Sequence, residues 1–218
     1  MIISFIGFMG CGKSSVGRRL SELLCCRFID LDNVIEEREG RTIAEIFAED
    51  GEAGFRNLEL KVLDNIVRKE SEGQWVSPIS STKETSTSDL QTLYGTAASE
   101  RMGVLALGGG TVMTPQCAEI VKESTVCIYL KASVDTLMER LASETESRPL
   151  LCQNISSSMP AEEARRNHEA EQPDLLLRNC IEALLAERSA TYENTASIII
   201  DTDGKSISAI ANEIIANC

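Results

Sequence analysis

The chain has 218 residues, enough for one domain with an ordinary hydrophobic core. Its 43% hydrophobic and 25% charged content is that of a soluble globular protein, and no apolar run approaches the ~20 residues of a membrane span. Acidic residues outnumber basic ones 34 to 21, and the net charge of −13 argues against a nucleic-acid partner and repels anions at long range. Any phosphate site must therefore be a local cluster of positive groups.

The chain opens on Met1-Ile2-Ile3-Ser4-Phe5-Ile6, without a basic stretch or a small-residue cleavage site. It runs straight into a glycine-rich motif, so a first strand is expected instead of a signal peptide, in a cytoplasmic protein. Short, nearly continuous apolar segments at 2–6, 27–29, 103–107, 125–130 and 197–200 predict strands buried on both faces. Between them, helical spacing predicts helices over 13–24, 115–122, 133–141, 181–188 and 206–216. Thr42 and Glu45 form a capping box for a helix over 43–49. Beyond it Phe55, Leu58, Val62, Leu63, Ile66 and Val67 recur at helical spacing. This alternation predicts a three-layer α/β fold, a five-stranded parallel sheet flanked by helices, with 1–218 as one domain.

Two segments break the alternation. Residues 74–99 are dense in Ser and Thr and separate a helix from a strand where a few residues normally suffice, which reads as an insertion. The stretch 151–178 contains Ser156-Ser157-Ser158, Pro160, a charged run and Pro173, and it centres a predicted extended, mobile lid region over 142–180. The eight cysteines (11, 25, 26, 117, 127, 152, 180 and 218) show no C-x-x-C pair and no metal-ligand spacing. Several lie in apolar surroundings, such as Cys25 and Cys26 after Leu23-Leu24, and predict buried free thiols in a reducing compartment. His168 is the only histidine, which disfavours histidine catalysis and His-rich metal sites.

Gly7-Phe8-Met9-Gly10-Cys11-Gly12-Lys13-Ser14 satisfies G-x-x-x-x-G-K-[ST], between a predicted strand and a predicted helix. In that setting the glycines let backbone N–H groups turn toward phosphate oxygens, with Lys13 reaching the β- and γ-phosphates and Ser14 ligating Mg²⁺. Gly10, Cys11, Gly12, Lys13, Ser14 and Ser15 are accordingly candidate ATP-binding residues.

After the second strand stand Asp30 and Asp32, two apart and so on one face of an extended segment. One carboxylate can anchor the Mg²⁺ shell while the other accepts a proton from a hydroxyl nucleophile; the alternative is an Asp that caps the next helix. Arg56 and Glu59 share a helical face, either as a surface ion pair or with Glu59 orienting Arg56 toward an anion. Gly108-Gly109-Gly110 ends the third strand, as a close approach to a ligand or as a plain turn. Arg148-Pro149-Leu150-Leu151 and Arg188-Ser189-Ala190-Thr191-Tyr192 are unremarkable in isolation.

In this order these motifs resemble the shikimate kinase family of P-loop small-molecule kinases, over nearly the whole chain outside the two insertions. The resemblance implies transfer of the ATP γ-phosphate to the 3-hydroxyl of shikimate, with ATP and shikimate as partners, Mg²⁺ as cofactor and a monomeric enzyme. It implies that Asp32 binds shikimate hydroxyls and accepts the proton, and that Arg56 and Arg188 clamp the shikimate carboxylate. Gly108, Gly109 and Gly110 would contact the substrate. Arg148 would reach across the transferring phosphate from the lid, Asp30 would support Mg²⁺ with Ser14, and Arg140 would stack on adenine. Lys13, Arg56, Arg148 and Arg188 would then supply the positive cluster that the acidic chain requires. Three features depart from expectation. No acidic residue ends the strand before the triple glycine, as in the family; Ala190 replaces the family's usual proline; and the lid is about twenty residues longer. The competing readings are another small-molecule kinase of this fold, such as a gluconate or nucleoside-monophosphate kinase, and a silent nucleotide-binding relative.

Overall fold

β1 (Ile2–Ile6) is apolar at every position but Ser4, and its two-residue alternation divides it between two cores. Ile2 and Ile6 enter one cluster with Leu63, Leu105 and Tyr129, whereas Ile3 and Phe5 enter the other with Leu20, Val104 and Ile128. Ser4 is fully buried and pairs its hydroxyl with that of Thr125 at 2.6 Å, which satisfies the polar group. A strand buried on both faces must lie inside its sheet, and β1 is the central strand.

The computed structural model describes residues 1–71, 102–142 and 173–217. With β2 (Arg27–Asp30), β3 (Gly103–Ala106), β4 (Thr125–Lys131) and β5 (Ile198–Asp201), β1 forms a sheet in the order β2-β3-β1-β4-β5. Every pairing is parallel, with Ile2 opposite both Gly103 and Thr125. The helices are α1 (Lys13–Leu23), α2 (Leu31–Glu39), α3 (Ile43–Ser71), α4 (Pro115–Ser124), α5 (Val134–Ala142), α6 (Pro173–Thr195) and α7 (Ile207–Asn217). The cluster on one sheet face takes Ile35, Ile46, Leu63 and Val121 from α2, α3 and α4. The opposite cluster takes Leu20, Leu137 and Ile210 from α1, α5 and α7. α6 serves both, through Tyr192 and Ile181 respectively. The predicted three-layer α/β architecture is thereby observed.

Several local expectations change. α2 follows β2 without a loop, so Asp30 ends a strand while Asp32 lies in the first helical turn. The helix predicted over 43–49 and the one after Phe55 are both present and meet within α3 at a kink, where Gly51 has a non-helical φ of 70°. The Phe47 and Phe55 rings pack across the bend at 4.6 Å. Arg41 secures the leading half through Glu49 at 2.7 Å and Asp50 at 2.8 Å. The capping box is present, with Thr42 N–H donating to Glu45 and Glu45 N–H to Thr42 Oγ1.

α6 begins at Pro173, well before the predicted start at 181, because proline suits a first helical position and Asp174 complements the helix dipole. Residues 173–180 therefore belong to a helix, whereas the insertion 74–99 and lid residues 143–172, Arg148 included, lie outside the described residues. Cys11, Cys117 and Cys127 are buried free thiols. Cys25, however, is exposed at a turn with φ of 48°, and Cys26 is only half-buried. Among the described residues no helix is long and apolar enough to cross a membrane.

Leu105 is fully buried in β3 against the α3 side of the sheet. Leu105→Ala should lower the unfolding free energy by about 2–5 kcal/mol in urea denaturation; a loss below about 1 kcal/mol would contradict this core assignment.

Candidate active site

The C-terminal ends of β1, β2 and β3 open into one cleft of about 640 Å³, where a parallel sheet binds its ligands. Residues 9–16, Asp30, Asp32, Gly108, Gly109 and Arg140 line it. The loop after β1 follows a path that needs glycine. Gly7 has φ of 139°, and a Cβ there would lie 2.7 Å from the Leu130 carbonyl oxygen. Gly12 has φ of 101° and precedes α1 with no side-chain cap, so the first N–H groups of that helix are available to an anion. Lys13 donates to the carbonyls of Gly7 at 2.9 Å and Phe8 at 3.0 Å, which holds its ammonium over the loop.

Asp30 combines two readings that the sequence left open. One oxygen accepts from the Asp32 N–H as the α2 cap at 3.2 Å, and the other accepts from Ser14 Oγ at 2.6 Å. It thereby joins the start of α2 to the phosphate loop. Asp32 also reaches the cleft, though not by strand alternation: the strand-to-helix turn swings its carboxylate inward. Its Oδ1 is buried without a hydrogen-bond partner. Burial first, then the neighbouring Asp30 and Glu59 carboxylates, raise its pKa to about 6, with Lys13 opposing them.

The triple glycine brings the acceptor half of the site together. A Cβ at Gly108 would stand 2.9 Å from Asp32 Oδ1 and 3.0 Å from both Glu59 Oε1 and Thr111 Oγ1. A Cβ at Gly110 would collide with the Arg56 guanidinium. Close approach, not turn formation alone, therefore requires glycine here. Glu59 is fully buried, so its bond to Arg56 at 2.5 Å is no surface pair. Its other oxygen accepts from Thr111 at 2.6 Å. Glu52 meets the far side of Arg56 at 3.3 Å.

Of the remaining predicted arginines among the described residues, Arg140 lines the cleft and Arg188 does not. Arg140 of α5 donates to the Cys11 carbonyl at 3.0 Å and to the Thr202 carbonyl at 3.3 Å, which joins the phosphate loop to the β5–α7 turn. Tyr192 of α6 donates its hydroxyl to the Gly109 carbonyl, and the charge of Arg188, four residues earlier, acts on that phenol. Sequence reasoning missed Lys205, Ser206 and Ile207, which line the cleft beyond the phosphate loop. The signal was available, since Asp203-Gly204 marks a turn at the C-terminal end of a parallel strand. It missed Thr111 as well, whose hydroxyl matters only through a carboxylate 52 positions away.

Because the folded protein raises the Asp32 pKa above the unfolded value, ionisation of Asp32 costs stability. The contribution is intact below about pH 4 and lost as pH rises through about 6, and it amounts to about 3 kcal/mol at 1.36 kcal/mol per tenfold change in proton affinity. Asp32→Asn should therefore be more stable than the parent at pH 7.5 and similar at pH 4, measured by urea denaturation. Equal stability at both pH values would contradict a buried, unpaired carboxylate.

Comparison with known proteins agrees with this geometry. The sequence model described as shikimate kinase matches residues 9–76 and 88–218. A shikimate kinase of Chlorobium phaeovibrioides is 34% identical over 215 residues, covering 98% of this chain and 85% of that protein. Shikimate kinase from Acinetobacter baumannii, solved in complex with shikimate, superposes with a TM-score of 0.67 at 27% identity, covering 99% of this chain and 91% of that one. The fold is also that of the shikimate kinase from Bacteroides thetaiotaomicron, with a TM-score of 0.70 at 24% identity, covering 100% of this chain and 97% of that one. Over nearly its whole length, this chain belongs to the shikimate kinase family.

Proposed function

We propose that the protein transfers the γ-phosphate of ATP to the 3-hydroxyl of shikimate, giving shikimate 3-phosphate and ADP for chorismate and aromatic amino acid synthesis. The observation that carries this reading is Asp32, a carboxylate with a buried unpaired oxygen. It stands between a phosphate loop and a glycine turn bordered by arginine. Ionised Asp32 accepts the hydroxyl proton as the new O–P bond forms and the bond to the ADP oxygen breaks. Lys13 and the N–H groups at the start of α1 take up phosphate charge. Arg56, which lies against Gly110 from α3, and Arg188 of α6 bind the shikimate carboxylate as ion pairs. Gly108 admits the acceptor because no side chain fills the space above Asp32.

Arg140, Lys205 and Ile207 lie at the far end of the cleft, where the nucleotide base extends from the phosphates. Arg148, outside the described residues, supplies further charge to the transferring phosphate in this reading. Ser14 and Asp30 offer hard oxygen atoms 2.6 Å apart at the cleft wall, a fit for Mg²⁺. Mg²⁺ takes much of its coordination from water and phosphate, so the lack of a cluster of three ligating side chains among the described residues is no obstacle. When bound, the ion would be held by Ser14 and Asp30 and would neutralise phosphate charge. A cytoplasmic monomer belongs to the same reading, in keeping with the buried free thiols.

ADP release with Mg²⁺-ATP should depend on shikimate, and Asp32→Asn should lower kcat by about 10²–10⁴-fold. Arg56→Ala should raise KM for shikimate by about 10–100-fold through loss of a charged hydrogen bond. ATP consumption indifferent to shikimate would overturn the reading. The pH profile gives a separate check. Protonation removes the acceptor, so kcat/KM should fall tenfold per unit of pH below about 6. A profile flat down to pH 4.5 would contradict the role given to Asp32.

A further inference from the structure

Tyr192 is a motif residue that the proposed chemistry leaves without a task. Its side chain is fully buried, and its ring packs on Tyr129 with centroids 5.1 Å apart. A phenylalanine would fill this space without burying a polar atom, so the hydroxyl has to justify its desolvation by its bonds. It makes them at the acceptor site. The phenol proton is donated to the Gly109 carbonyl, and the positive charge of Arg188, one helical turn earlier on α6, acts on the phenol oxygen. Burial keeps the phenol protonated well above its ordinary range, so it remains a donor at working pH.

The peptide plane carries the consequence further. A carbonyl fixed at Gly109 fixes the N–H of Gly110, which lies in the same rigid unit and points the opposite way. Gly110 packs on Arg56, while the Cβ position of Gly109 is 3.3 Å from the Met9 amide of the phosphate loop. One hydroxyl therefore ties α6 to the turn that separates the two halves of the cleft.

We propose that Tyr192 is a positioning residue for the acceptor: its hydroxyl holds the Gly109–Gly110 peptide in one geometry beside Arg188, so that a guanidinium and a backbone donor face the same carboxylate. This rests on the phosphotransfer reading above and adds to it a residue that touches neither reacting atom.

Tyr192→Phe keeps the ring and removes only the hydroxyl, so steady-state kinetics of the full chain can isolate it. The variant should raise KM for shikimate about tenfold, with KM for Mg²⁺-ATP within twofold and kcat within threefold of the parent. In an Arg188→Ala background the same change should add less than threefold, because much of its effect passes through that arginine. A general packing defect would instead lower the melting temperature and raise both KM values together. The inference is overturned if KM for shikimate stays within twofold in Tyr192→Phe, if both KM values rise together, or if the tenfold effect persists without Arg188. No shikimate-dependent turnover in the unsubstituted protein would sink the functional reading and this inference with it. Normal turnover with an unmoved KM would sink this inference alone.

Discussion

The acceptor half of the cleft depends on one buried charge, the carboxylate of Glu59. It has no solvent exposure, and each of its oxygens is committed, one to Arg56 and one to Thr111. A buried carboxylate that lost its arginine would cost the fold about 3–5 kcal/mol, so Arg56 cannot relax toward solvent without loss of stability. The same carboxylate presses on Gly108 and Gly110 through the groups it holds, which leaves no room for a side chain at either position. The position of Arg56 and the bare glycine turn share this origin, and Glu59 adds to the burial and the Asp30 charge that raise the pKa of Asp32.

Local organisation resolves the conflict between a net charge of −13 and a cleft that must take up anions. Positive groups are held where the sheet ends: Lys13 over the loop carbonyls, Arg140 across to the β5–α7 turn and Arg56 on its buried carboxylate. Asp32 is the deliberate exception, a negative charge kept among other carboxylates with one oxygen unpaired. Such an arrangement weakens the fold and suits a proton acceptor, since an acceptor whose hydrogen bonds were already satisfied would have less to gain from the substrate hydroxyl.

Much of this was legible in the sequence because it was written in local patterns. The central strands are continuous apolar runs, and a glycine-lysine-serine motif between strand and helix has few other uses. Sequence reasoning failed where tertiary contact decides. Asp30 and Asp32 looked like two residues of one extended segment after the second strand, yet Leu31 is buried as the first residue of a helix and the chain turns between the carboxylates. Pro173 looked like a break, although proline opens a helix as readily as it ends one. Glu59 looked equally suited to the surface, yet it is fully buried and bonded to Thr111, 52 positions away. No local rule reports that a hydroxyl at Tyr192 belongs to a carbonyl 83 positions earlier.

Which atom receives the phosphate decides between phosphotransfer to shikimate and its alternatives. Phosphorus–proton correlation spectroscopy of a reaction with shikimate and Mg²⁺-ATP reads this directly. The account predicts a new phosphomonoester signal coupled to the ring proton on the carbon bearing the 3-hydroxyl, in amounts matching the ADP formed. ADP with inorganic phosphate alone, or a phosphorus signal coupled elsewhere on the ring, would contradict it.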